Sequence, residues 1–173
     1  MEHTLLQKLL LLITAYTFSF SALTAEPSIK LGMSNALSGP AEDLGTQLHL
    51  GAKVFFERLN KNGGINNNRV ELISLDDGYE PELTVINTRK LIEDEGVFAL
   101  FGYVGTPTSF AIMPMIKKNN IPYLMPFTGA DFLRQPINQN IYNLRASYRQ
   151  EAQAQIDYLI NTMKYKKIAL VIQ

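Results

Sequence analysis

Uncharged hydrogen-bonding groups recur in the loops that follow the apolar segments of this sequence. The hydroxyl residues are Ser38, Thr106, Thr108, Ser109, Thr128 and Ser147, and the accompanying glycines are Gly39, Gly102, Gly105 and Gly129. A helix predicted to begin near Thr106 directs its free N–H groups and positive dipole end to the same place. The pattern indicates binding of a small anionic or zwitterionic solute. The alternative for each hydroxyl is ordinary capping of a helix.

Residues for covalent or phosphate chemistry are missing. There is no cysteine, which excludes disulfides, thiol nucleophiles and thiolate metal sites. No G-x-G-x-x-G loop, P-loop or G-x-S-x-G elbow occurs. His49 is the only histidine after the first 25 residues and lies in a predicted helix, so it makes a poor catalyst or metal ligand. We expect no enzymatic activity, no metal and no cofactor.

Two adjacent carboxylates, Asp76 and Asp77, follow the second apolar segment. They would suit magnesium or a phosphorylated aspartate if both faced one site. Side chains alternate along a strand, however, so the two point to opposite faces. We therefore favour a role in hydrogen-bonding loop N–H groups and capping the turn.

The elements that position these loops are five short apolar runs separated by helical patterns. The runs are residues 29–33, 70–75, 98–101, 122–125 and 141–144. Such alternation predicts βαβ units and an α/β fold with a parallel sheet, a Rossmann-like three-layer lobe. Because these connections are right-handed, the loops gather at the carboxyl edge of the sheet, where open α/β sheets bind ligands.

Four helices are predicted between and after the strands. In the first, a stripe of Leu48, Ala52, Phe55, Phe56 and Leu59 should face the sheet and end at residues 62–64. The others start near Pro81, at Thr106 and near Gln150. Pro114 should kink or split the third helix, which runs to about Lys118.

Composition and the first residues restrict the cellular setting. The 173 residues carry 16 basic and 16 acidic side chains, which gives no reason to expect nucleic acid. Residues 1–25 combine a short polar start, an apolar stretch and a small residue before Glu26, the order of a secretory signal peptide. The alternative is a retained membrane anchor. We expect cleavage and export to the periplasm.

The last residues predict a further strand. Residues 167–172 form a continuous apolar run of the buried, parallel-sheet type after a helical stretch with one apolar face. A last strand this apolar would be a sticky edge, so we expect that the sequence is incomplete and a second lobe is missing. We divide the chain into residues 1–25, a ligand-binding lobe at 26–146, and a hinge crossing with the start of a second lobe at 147–173.

Taken in order, several segments resemble the periplasmic solute-binding proteins of the leucine/isoleucine/valine-binding type. They are residues 29–45 (IKLGMSNALSGPAEDLG), 62–65 (NGGI), 75–78 (LDDG), 101–109 (FGYVGTPTS), 121–130 (IPYLMPFTGA) and 168–172. The resemblance implies two lobes joined by a hinge, a solute trapped between them, and delivery to the membrane permease of an ABC transporter. It implies no catalysis.

The resemblance also implies ligand-binding residues. They are Thr106, Phe127, Thr128, Gly129, Gly105, Tyr103, Leu44 and Tyr148. Thr106 falls on the hydroxyl residue that receives the ligand carboxylate, and Phe127–Gly129 on a loop that contacts the head group. Gly129 replaces a threonine of the amino-acid binders, unless Thr128 takes that place by a shift of one residue, and Leu44 replaces an aromatic residue. Both departures argue against a branched-chain amino acid as the ligand.

Three functional hypotheses follow. The first is a periplasmic receptor, monomeric when complete, that captures an amino-acid-like solute or another carboxylate for import. The second is the same module as the ligand-sensing ectodomain of a membrane signalling protein. An exported enzyme on a flavodoxin-like sheet is the third, and the missing chemistry argues against it.

Overall fold

Each of the five apolar runs forms a strand in the computed structural model, which describes residues 28–171. The strands are β1 (Ser28–Asn35), β2 (Arg69–Asp76), β3 (Ala99–Phe101), β4 (Tyr123–Leu124) and β5 (Ile141–Tyr142). They form one parallel sheet in the order β2-β1-β3-β4-β5. The predicted α/β fold with a parallel sheet is confirmed.

Helices cover both faces of this sheet. They are α1 (Glu42–Lys61), α2 (Pro81–Glu93), α3 (Thr106–Ala111) and α4 (Met113–Asn119), and a 3-10 turn lies at Asp131–Leu133. A further helix, α5 (Tyr148–Asp157), and a π-helical turn at Tyr158–Thr162 follow β5 and bury no residue. The larger apolar core lies on the α2–α4 side, and a smaller one lies under α1. The α2–α4 side is tightly packed, since a Cβ on Gly32 of β1 would lie 3.2 Å from Leu91.

The prediction for the third helix is confirmed in detail. The helix that begins at Thr106 ends at Ala111, and a second one begins at Met113. Pro114 lies in the first turn of α4, where its missing N–H removes no helical hydrogen bond. The break turns one predicted helix into two short ones.

The predicted core stripe of α1 is wrong at one position. Phe56 packs edge-to-face on Phe101 of the sheet at 5.4 Å, whereas Phe55 is 61% exposed. Successive helical residues are 100° apart, so the two phenylalanines cannot both face the sheet. The predicted end of α1 is confirmed, with Gly63 and Gly64 at positive φ just beyond it.

The strand predicted at residues 167–172 is also wrong over its described part. Lys167 to Val171 have no strand structure, and Leu170 and Val171 are 85% and 94% exposed. A strand requires a neighbour to accept and donate its backbone hydrogen bonds, and none pairs with this segment within residues 28–171. The apolar face of α5 is likewise unpacked, with no buried residue.

The signal-peptide prediction for residues 1–25 lies outside the described residues, as does Ile172. Across residues 28–171, no helix has both the length and the apolar character needed to cross a bilayer.

Gly45 allows the start of α1 to approach the end of β1. A Cβ on Gly45 would lie 1.9 Å from the carbonyl oxygen of Ala36, whereas one on Gly51, six residues along the same helix, would meet nothing within 4 Å. We expect Gly45→Ala to lower the free energy of unfolding of the full-length protein by about 1–3 kcal/mol in urea titrations.

The matched control is Gly51→Ala, which should raise the free energy of unfolding by about 0.5–1 kcal/mol because alanine is the better helix former. Equal effects of the two substitutions would contradict a packing role for Gly45.

Candidate functional site

Three hydroxyl groups from three different loops meet at the carboxyl edge of the sheet. Thr106 follows β3, Thr128 follows β4, and Tyr148 follows β5. The hydroxyl oxygens of Thr106 and Thr128 lie 2.6 Å apart. The Tyr148 oxygen lies 3.2 Å from that of Thr128 and 3.4 Å from that of Thr106. We call these three side chains the hydroxyl cluster.

The backbone of the β4 loop fixes Thr128. The N–H of Phe127 donates to the carbonyl of Tyr103 at 2.8 Å and extends the pairing of β3 and β4 beyond the strands. The Thr128 hydroxyl oxygen then accepts the N–H of Ala130 at 3.2 Å and lies completely buried. Thr128 is therefore the buried member of the cluster, held in place by the backbone of its loop.

Tyr148 lies over Thr128 on the solvent side. Its N–H donates to the carbonyl of Gly129 at 2.8 Å, and its side chain is 47% exposed. Ser147 and Gln150 cap α5 reciprocally, which fixes where Tyr148 begins the helix. Thr128 and Gly129 thus lie one layer below the surface, while Thr106 and Tyr148 reach solvent.

The glycine at position 129 has a direct structural cause. A Cβ there would lie 2.6 Å from both Cδ1 and the amide nitrogen of Tyr148. A threonine at this position would collide with Tyr148, so the cluster hydroxyl comes from Thr128, its neighbour. This accounts for the departure at Gly129 noted in the sequence.

Hydrogen bonds lower the pKa of the Tyr148 hydroxyl below its usual range. The bond with Thr106 has the largest effect, followed by that with Thr128. Both interactions favour the phenolate over the phenol.

Arg145 packs against Tyr148 and Phe127. It lies in residues 143–147, between β5 and α5, which we call the crossing segment. Its guanidinium carbon lies 5.3 Å from the ring centroids of both aromatic residues. Two hydrogen bonds of 2.7 and 2.9 Å join it to the carboxylate of Glu151, which lowers the pKa of Glu151. Because its charge is paired, Arg145 acts as a packing and orienting group.

Arg134 ties the crossing segment to the β4 loop. Its guanidinium donates to the carbonyl of Ala130 at 2.8 Å and to that of Arg145 at 2.6 Å. Sequence reasoning missed this residue, because nothing local in the sequence marks a contact between segments eleven residues apart.

A buried polar network joins the loops after β1, β2 and β3. Asp77 is completely buried and accepts hydrogen bonds from the hydroxyls of Ser34 (2.7 Å) and Thr84 (3.0 Å). Asn35, also buried, accepts the N–H of Asp77 on its carbonyl (2.9 Å) and that of Val104 on its side chain (2.8 Å).

Asp76 caps the turn from the other side. Its carboxylate accepts the N–H groups of Leu37 at 2.8 Å and Gly78 at 2.9 Å. The hydrogen bond from Ser38 is the largest cause that lowers the pKa of Asp76. The structural role predicted for both aspartates is confirmed, and residues 28–171 contain no metal-binding group of three or more His, Cys, Asp or Glu.

Tyr103 requires a correction. It was expected to contact ligand, but it is completely buried, with its hydroxyl 3.0 Å from that of Thr88 and its ring edge-to-face with Tyr123. Burial raises the pKa of Tyr103 well above its usual range. It is a core residue because its side chain points into the α2–α4 side of the sheet.

Thr108 and Ser109 are likewise unavailable to a ligand. Both are buried, and each donates to a carbonyl of the preceding turn at 2.6 Å. Leu44 lies in the first turn of α1, 45% exposed. Gly105 is buried and packs against the ring of Tyr79, an aromatic residue that sequence reasoning also missed.

A large cavity lies away from the hydroxyl cluster. It has a volume of about 690 Å³ and opens between α1 and the edge strand β2, with Ser28 and Arg69 at its rim. Those residues begin β1 and β2, so the cavity is at the amino edge of the sheet. Ligands of open α/β sheets bind at the opposite edge, where the hydroxyl cluster lies.

Known proteins are similar to this chain in sequence and fold. Residues 28–173 match a family model described as periplasmic binding protein. Leu/Ile/Val-binding protein homolog 3 from Brucella melitensis is 29% identical over 158 residues, 91% of this chain and 42% of that protein. The chain therefore spans less than half the length of this relative.

Two crystal structures extend the comparison. A possible leucine/isoleucine/valine-binding protein from Rhodopirellula baltica SH 1 is 38% identical with a TM-score of 0.74, covering 79% of this chain and 36% of that one. A branched-chain amino acid transporter substrate-binding protein from Streptococcus pneumoniae, in complex with isoleucine, has a TM-score of 0.71 at 19% identity, covering 79% and 39%. The second likeness shows the fold alone. With a family model that covers nearly all described residues, this chain belongs to the type I periplasmic binding protein family of Leu/Ile/Val-binding relatives.

Proposed function

We propose that the protein is an exported solute receptor that binds a small carboxylate at the hydroxyl cluster and delivers it to the permease of an ABC transporter. The observation that carries the proposal is the convergence of the Thr106, Thr128 and Tyr148 hydroxyls from three separate loops. The names of the relatives, which specify leucine, isoleucine or valine, support a solute with a carboxylate.

The donor arrangement favours an anion. The Ala130 N–H donates to the hydroxyl oxygen of Thr128, and Thr128 in turn donates to Tyr148. The Tyr148 proton is then available to a ligand beside it. The Thr106 proton lies in the 2.6 Å contact with Thr128, and Thr106 can turn it towards a ligand in exchange for that bond. Each hydrogen bond to a charged group contributes about 1.5–3 kcal/mol.

Neutral donors on one lobe hold a solute weakly, so a second surface has to close over it. The lengths of the relatives support a second lobe in the complete protein. Solute that touches both lobes favours the closed state, which is hinge closure by differential binding. We propose that the intact receptor is a monomer, works in the periplasm and performs no catalysis.

Thr106→Ala tests the cluster directly. In calorimetry on the full-length protein, with a panel of amino acids and carboxylates without an amino group, we expect affinity to fall by about 1–3 kcal/mol. Thr46→Ala is the matched control, because the Thr46 hydroxyl donates only to carbonyls of its own helix. Unchanged affinity in Thr106→Ala would remove Thr106 from the site.

Gly129→Ala tests the packing of Tyr148 against Gly129. The added Cβ would overlap Tyr148, so we expect a loss of about 1–3 kcal/mol in the free energy of unfolding and weaker carboxylate binding. The same change in a Tyr148→Ala background should cost less, since the Cδ1 contact is gone. Equal costs in both backgrounds, measured in urea, would contradict the contact.

The lowered pKa of Tyr148 predicts a pH dependence. Between this pKa and the ordinary value near 10, the folded protein binds fewer protons than the unfolded chain, so the contribution of Tyr148 to stability rises with pH. Ionisation also removes a donor and adds negative charge. We therefore expect carboxylate affinity to fall with rising pH, beginning below pH 10, and Tyr148→Phe to abolish that fall in calorimetry. A decline that persists in Tyr148→Phe would assign it to another group.

A further inference from the structure

Tyr79 has a backbone conformation that is unusual for an aromatic residue. Its φ is +72°, in the left-handed region that glycine and asparagine adopt readily and bulky side chains rarely do. The buried carboxylate of Asp77 accepts the Tyr79 N–H at 2.9 Å and so helps to hold this conformation. Such strain persists where surrounding structure fixes it, and it clusters at ligand sites.

The Tyr79 ring lies against the residue that precedes Thr106. A Cβ on Gly105 would lie 2.5 Å from Cε2 and 2.9 Å from Cζ of Tyr79, so only glycine leaves room for the ring. Tyr79 itself is partly exposed. Packing alone does not account for a strained, half-covered tyrosine at this place.

Tyr148 repeats this arrangement on another loop. Its ring occupies the space of a missing Cβ on Gly129, and its hydroxyl lies 3.4 Å from that of Thr106. Gly105 thus leaves room for the ring of Tyr79, and Gly129 leaves room for the ring of Tyr148. Gly105 directly precedes Thr106, and the Tyr148 hydroxyl lies beside that of Thr106. The carboxylate-binding group has an aromatic neighbour on each of two loops.

We propose that Tyr79 and Tyr148 are the walls of a slot that selects carboxylates with a flat, unsaturated ring. The inference rests on the proposed function, since Thr106 has to hold the carboxylate for the walls to act on the ring. Aromatic faces attract other aromatic groups beyond the contribution of buried area, by a factor of about five in affinity. Tyr79 is then the specificity-determining residue of the lobe.

Calorimetry on the full-length protein tests the slot with two pairs of probes. Benzoate is compared with cyclohexanecarboxylate, and phenylalanine with cyclohexylalanine, so that each pair differs in flatness at constant carboxylate. We expect the aromatic member to bind about fivefold more tightly. In Tyr79→Asn the ratio should fall, because one of the two aromatic faces is lost and asparagine tolerates a positive φ. In Tyr79→Phe the ratio should be kept.

Thermal unfolding checks that the variants are folded. If Tyr79→Asn lowers the melting temperature, Tyr79→Gly replaces it, because glycine takes a φ of +72° without strain. The matched control is Tyr158→Asn, at an exposed tyrosine of the π-helical turn, which should leave the ratio unchanged.

The outcomes separate this inference from the proposed function. If the probes bind and depend on Thr106, but their ratio is the same in Tyr79→Asn as in the unmodified protein, the slot is overturned and the receptor stands. A ratio near one in the unmodified protein overturns the slot in the same way. If none of the four probes binds the unmodified protein but another carboxylate of the panel does, the slot is overturned and the receptor stands. If no carboxylate of the panel binds, the proposed site fails and the slot with it.

Discussion

The buried network of Asn35 and Asp77 is the constraint on which the edge of this lobe depends. Asn35 ends β1, which is paired with β2 on one side and β3 on the other, and binds the backbone of the loops after β2 and β3. Asp77 joins β1 to the start of α2 through Ser34 and Thr84. Both Asn35 oxygens and the Asp77 carboxylate have partners, whereas the Asn35 side-chain nitrogen is buried without one among the described residues. Buried hydrogen bonds of this kind fix a geometry, and the loss of one partner leaves a further costly unpaired group. This network holds the loop after β2, which carries Tyr79, and the loop after β3, which carries Thr106 of the hydroxyl cluster.

The hydroxyl cluster is built from neutral side chains. Thr106, Thr128 and Tyr148 belong to loops after three adjacent strands, and parallel topology alone brings those loops together. Two arginines lie close by, but Arg145 is paired with Glu151 and Arg134 is bound to backbone carbonyls. Their charges therefore organise the segment between β5 and α5, and the proposed site depends on the hydroxyls.

Features with a local cause could be predicted from the sequence. Apolar runs between turn residues predicted all five strands, and the ring of Pro114 predicted the break between α3 and α4. The failures depend on distant partners. Phe55 and Phe56 are equally apolar, and only the position of Phe101 decides which one is covered. Tyr103 has a polar tip like any binding tyrosine, but Thr88 of α2 satisfies it in the core.

The same limit applies to the site. Tyr79 could be named as an aromatic residue in a strand-end loop, but its left-handed backbone depends on Asp77 and its ring position on Gly105. Residues 168–171 carry an apolar pattern typical of a strand, but a pattern without a hydrogen-bonding neighbour remains coil.

The bond from the Tyr148 N–H to the Gly129 carbonyl has a mechanical consequence. Tyr148 is both the first residue of α5 and the cover of Thr128. A swing of α5 relative to the sheet has to turn or break that bond and carry the phenol ring with it. The angle of α5 and the arrangement of the hydroxyl cluster are therefore coupled, and a change in either one is transmitted to the other.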